Sequence, residues 1–100
     1  MIEPESLGKD ACLESIRARI DVIDTQLLNL LNQRAACSEK IGAIKKKLGV
    51  PVFSAGREQA LLNKLVAANA GPLRERHLRA IYREIFSISK EMQSPPGVEC

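Results

Sequence analysis

One hundred residues, 45% hydrophobic and 27% charged with a formal net charge of +3 at pH 7, make one small globular domain and exclude a disordered chain. Aromatic residues are 3% with no Trp, too few for a surface that stacks nucleic-acid bases, and the mild positive charge leaves small anionic ligands open. Cys12, Cys37 and Cys100 are odd in number and lack metal-ligand spacing, which indicates neither a disulfide framework nor a zinc site and reads as reduced thiols in a cytoplasmic protein.

Residues 1–10 read as an N-terminal extension. "MIEPESLGKDAC" has no apolar core of signal-peptide length, and no later run approaches a membrane span. From Leu13 the apolar positions Ile16, Ile20, Ile23, Leu27, Leu30, Cys37, Ile41, Ile44 and Leu48 follow in steps of three and four, interrupted only at Arg34. With Asp10 as N-cap and "LGVP" as the stop, this predicts one very long helix of about 38 residues, roughly 57 Å at helical rise. A compact domain of this length has a radius of gyration of about 13 Å, so such a helix would leave its apolar stripe bare. Intertwined helices of a second copy would cover it, which predicts a homodimer.

After "GVPVFSAG" a second helix is predicted from about Arg57 to Asn69, with Ser54 as its cap and Leu61, Leu62, Leu65 and Val66 buried. "NAGP" ends it, Gly suiting the C-terminal position and Pro the opening of the next helix. The third helix runs from about Leu73 to Gln93 with Leu78, Ile81, Tyr82, Ile85, Phe86 and Met92 inward and Ser89 in the same stripe. Residues 94–100, "SPPGVEC", read as a flexible tail or linker. The expectation is an all-α chain of three helices, its domain spanning 11–93, with no strand.

Several polar residues break these apolar patterns. A guanidinium at Arg34, inside the seam, needs an anionic partner: a carboxylate such as Glu39, Asp24 or one from a second chain, or a ligand. Lys45 lies three turns on, within roughly 20° of the same face. It is either a second cation in that groove or a member of the solvated "KKK" run. Arg17 lies roughly 25 Å before Arg34 along the axis and points about 100° away. It pairs with Glu14 or Asp21 on the surface, or reaches the groove of the partner in an antiparallel dimer. Ser89 and Gln93, four apart, face one way on the third helix. Arg57 and Glu58 stand together at the opening of the second. His77, in "RERHLR", is expected in solvent. The sequence has no nucleophile with an adjacent base, no Gly-rich phosphate loop and no metal cluster.

"IRARIDVIDTQLLNLLNQRAACSEKIGAIKKKLGVPVFSAGRE" and "IYREIFSISKEMQ" resemble the all-helical chorismate mutase family, the type found alone or fused to prephenate dehydratase. The resemblance covers about Leu13 to Gln93, and the Arg, Arg, Lys, Arg-Glu and Ser/Gln elements occur in family order. It implies that Arg34 and, from the other subunit, Arg17 grip the two carboxylates of chorismate, assisted by Ser89 and Arg57. Lys45 and Gln93 would hydrogen-bond the ether oxygen, and Glu58 would accept the ring hydroxyl. Ser54 stands where many members have Asp, at the position whose backbone also meets that hydroxyl.

The implied activity is the rearrangement of chorismate to prephenate in phenylalanine and tyrosine biosynthesis, without cofactor or metal. An isochorismate-pyruvate lyase on the same fold is the nearest alternative, separated by Glu58, where that group tends to carry an apolar residue. A non-catalytic helical dimer or regulatory module is the other, in which Arg34 and Lys45 serve only ion pairs.

Overall fold

A computed structural model describes residues 4–52 and 54–94, with side chains from Ala11 onward. Three helices follow one another, α1 Pro4–Leu48, α2 Ala55–Ala68 and α3 Glu75–Gln93, and there is no strand among the described residues. The tail expected over 94–100 lies, but for Ser94, outside them. The chain divides into two units, residues 1–33 and 34–100.

The first unit is the opening stretch of α1. This helix begins at Pro4, so Asp10 lies inside it and is not the expected cap. Proline suits a first helical turn, where its fixed φ is already helical and its missing N–H has no partner to lose. Leu13, Ile16, Ile20, Ile23, Leu27 and Leu30 repeat along the helix, and each is 47–59% exposed. Thr25 Oγ1 and Asn32 Nδ2 donate back to the carbonyls of Asp21 and Leu28, so these polar residues are satisfied within the helix itself.

The second unit holds the last turns of α1 together with α2 and α3. α1 stops at Gly49, which takes φ 70°, a left-handed conformation that costs glycine no Cβ clash. The N–H groups of Gly49 and Val50 return to the Lys46 and Lys45 carbonyls. Ser54 caps α2, its Oγ accepting the Arg57 N–H at 3.3 Å, which moves the helix start to Ala55, two residues ahead of the expected Arg57.

The expected glycine stop of α2 is not used. Asn69 ends the helix with extended backbone. Its side chain donates to the Leu73 carbonyl at 2.6 Å and accepts the Gly71 N–H at 3.3 Å. One amide thus closes the turn, and Gly71 needs no left-handed φ. α3 starts two residues late for a similar reason. His77 Nδ1 accepts the Arg74 N–H at 3.0 Å, so the imidazole is a half-buried cap and not the solvated side chain expected.

Packing in this unit is thin. Leu62 is the buried hydrophobic residue, with Leu61, Leu65 and Val66 half-buried beside it and Leu78, Tyr82, Ile85, Phe86 and Met92 half-buried on α3. Tyr82 and Phe86 rings lie 5.6 Å apart in a tilted pair. Ile81, expected inward, is 45% exposed. It aligns with Ile88, seven residues on, along a separate flank of α3. α1 approaches α3 where Ser38 bonds Ser89 and at Gly42, on which a Cβ would sit 2.6 Å from Gln93 Cα, so only glycine permits that approach.

Candidate functional site

A cavity of about 570 Å³ opens within the second unit between the end of α1, the following loop, the first turns of α2 and the last turns of α3. Arg34, Lys45, Ser54, Arg57, Glu58, Ser89 and Gln93, chosen above from three separate stretches of sequence, all line it. Arg17 belongs to the first unit. There it pairs with Glu14 at 3.7 Å, with the two side chains 63% and 76% exposed, a geometry worth little to stability.

Helical spacing places the first two cations. Arg34 and Lys45, three turns apart, share a face of α1. The Arg34 guanidinium lies 5.9 Å over the Phe86 ring, and no carboxylate pairs with it among the described residues. Stacking uses the flat face of the group and leaves its edge of N–H donors available to an anion. Lys45 is half-buried while Lys46 and Lys47 are exposed. Its Nζ donates to the Val52 carbonyl at 2.7 Å. That bond uses one of its three donors and ties the ammonium to the cavity wall.

The opening of α2 supplies charges of both signs. The same Ser54 cap that sets the helix start fixes the backbone of Arg57 and Glu58, whose N–H groups return to Ser54 Oγ and to the Ser54 carbonyl. Arg57 is exposed and Glu58 half-buried. Neither is ion-paired among the described residues. A carboxylate in the first turn is also favoured by the helix dipole.

α3 contributes neutral donors. Ser89 and Gln93, one turn apart, are bonded from Gln93 Nε2 to Ser89 Oγ at 3.4 Å, and Ser89 Oγ lies 2.7 Å from Ser38 Oγ. Sequence reasoning missed Ser38, which is 3% exposed. Its signal was its place four residues after Arg34 on the same face, faint because a small hydroxyl interrupts no apolar stripe. Lys90, not singled out in the sequence, and Cys37, read as a seam position, also line the cavity.

Arg34, Lys45, Arg57 and Lys90 therefore set four cations against the Glu58 carboxylate, between walls of Ile41, Val52, Leu61 and Phe86. Apolar walls lower the local dielectric and strengthen each charge. Such a cavity can grip a small polyanion by fork-like and point-charge donors, fix its shape and stabilise negative charge that develops on an oxygen. No histidine lines it, and of its three serine hydroxyls those of Ser38 and Ser89 bond each other while Ser54 caps α2.

Comparison with known proteins adds to this geometry. Residues 16–94 match the model of the family described as chorismate mutase type II. The bifunctional chorismate mutase/prephenate dehydratase of Aquifex aeolicus is 38% identical over 79 residues, covering 75% of this chain and 22% of that protein. The chain spans less than a quarter of the length of such bifunctional relatives. Among solved structures, the chorismate mutase of Thermus thermophilus in its form II superposes with a TM-score of 0.81 at 28% identity, covering 84% of this chain and 96% of that one. The Helicobacter pylori chorismate mutase in complex with prephenate gives a TM-score of 0.77 at 35% identity, covering 83% and 90%.

Proposed function

The chain belongs to the type II chorismate mutase family, and we propose from that membership that its cavity converts chorismate to prephenate. The observation that carries this reading is the convergence of Arg34, Lys45, Arg57, Glu58, Ser89 and Gln93 on one cavity in which cations outnumber carboxylates. The reaction is an intramolecular rearrangement: the ether C–O bond breaks as a new C–C bond forms within one molecule, and no group is transferred. It asks for a flexible dianion held in its compact conformation and for positive charge where the ether oxygen gains electron density.

Each residue has a place in that scheme. Arg34, its donors unclaimed by any carboxylate of the described chain, takes one substrate carboxylate, and Arg57 and Ser89 assist the anionic end. Lys45 and Gln93 donate to the ether oxygen. Glu58 accepts the ring hydroxyl, with the Ser54 backbone beside it. Arg17 comes from the partner subunit of a homodimer and completes the grip. The half-exposed stripe from Leu13 to Leu30 supports such a dimer, because an apolar face of this length calls for a second helix against it. Residues 11–93 form the mutase domain. No helix among the described residues is long and apolar enough to cross a membrane, and a cytoplasmic enzyme is part of the same proposal.

Incubation of the purified protein with chorismate, with the product identified, tests the assignment. Prephenate as the sole product is expected. Release of pyruvate from isochorismate would instead make the chain a lyase, and the half-buried Glu58 carboxylate in the cavity speaks against that. An inert protein would leave the reading of a non-catalytic helical dimer or regulatory module.

A further inference from the structure

Ser38 has no part in the proposed chemistry, yet it is the buried polar residue among those described, 3% exposed where α1 meets α3. Its hydroxyl oxygen is 2.7 Å from Ser89 Oγ, and either group can donate in that bond. Gln93 Nε2 donates to the same Ser89 oxygen at 3.4 Å, while Gln93 Oε1 is buried without a hydrogen-bond partner among the described residues. A buried amide oxygen without a donor is costly. An amide turned end for end keeps its shape and exchanges acceptor for donor. In that orientation Oε1 accepts the Ser89 hydroxyl proton, and the NH2 group takes the place of the stranded oxygen, where its own protons are left for an acceptor on a bound ligand.

Ser89 has one proton to give. It can go to Gln93 only when Ser38 is the donor in the bond between the two serines. We propose that Ser38 is a positioning residue: by donating to Ser89 Oγ it commits the Ser89 proton to Gln93 Oε1, and so holds the Gln93 amide with its NH2 group turned into the cavity. The inference rests on the chorismate mutase reading, in which Gln93 donates to an oxygen gaining negative charge. An amide held the other way would present an acceptor there and oppose the transition state. The hydrogen bonds run one way, from Ser38 to Ser89 to Gln93 to ligand, and bonds aligned in this sense strengthen one another. Because Ser38 lies where α1 meets α3, the orientation of the amide is set by the packing of the helices and not by the ligand.

A double-mutant cycle tests this. Wild type, Ser38→Ala, Gln93→Ala and the double variant are assayed for prephenate formation, with thermal melts alongside. Loss of one hydrogen bond lowers kcat of Ser38→Ala by about 5- to 10-fold with KM within about twofold. In the Gln93→Ala background the same change has no further effect on kcat, since there is no amide left to orient. Effects that multiply, or an unchanged kcat with only a lower melting temperature, overturn the proposal. Should alanine weaken the fold, Ser38→Cys keeps the side-chain shape with a slightly larger atom and gives up the strong donor; the same fall in kcat is expected, and a wild-type kcat overturns it. A wild type that forms no prephenate removes the activity reading and this inference together. An active wild type with an unaffected Ser38→Ala removes this inference alone.

Discussion

Lys45 shows how burial divides a run of like charges. Three consecutive lysines end α1, but only Lys45 is half-buried and bonded to a loop carbonyl. Removing one preorganised donor at a developing charge costs about 3 to 4 kcal/mol, or roughly 10²- to 10³-fold in rate. Lys45→Ala is therefore expected to lose most turnover with an unchanged far-UV circular dichroism spectrum and melting temperature; a near-normal kcat would sink the assignment. Arg34→Lys is expected to raise KM more than about tenfold, because an ammonium offers neither a flat face to Phe86 nor a fork to a carboxylate. Arg34 was legible in the sequence because a charge inside an apolar seam stands out, whereas Lys45 drew notice only by its place three turns on and stayed open between the groove and the solvated run. Ser38 was not legible, since its meaning depends on a contact with α3, which lies 51 positions away in the chain.

The helices were legible as elements and less so at their ends. Three- and four-residue spacing revealed all three, but Ser54, Asn69 and His77 shift boundaries by side-chain hydrogen bonds that propensity alone does not rank. Ser54→Ala removes the cap that sets the first turn of α2, and a loss of about 1 kcal/mol is expected in denaturant titration. Gly42 is a harsher constraint. A methyl group there meets the Gln93 backbone, so Gly42→Ala is expected to destabilise by about 1–3 kcal/mol and to lower activity as well. A stable, fully active variant would show that α1 and α3 do not need to approach so closely. Nothing in the local sequence "KIGAIKKK" marks that glycine as special, because the atoms it avoids belong to the far end of the described chain.

At the level of the whole molecule, composition and periodicity indicated an all-helical chain, and the half-exposed residues of α1 agree with a face made for a second copy. The proposed sharing of Arg17 gives a sharp test. Arg17→Ala and Lys45→Ala chains, each nearly inactive alone, are unfolded together and refolded as a mixture. Half the dimers then carry one intact site of two, so about a quarter of wild-type activity is expected to return. A mixture no more active than its parents would show that Arg17 serves its own chain or none. Mass action would make the folded, active population of the proposed dimer depend on chain concentration. If the proposed dimer forms, the bare stripe from Leu13 to Leu30 has a consequence in the cell: newly made chains would wait, unprotected, for a companion, so halving the gene dose would cost more than half of the enzyme.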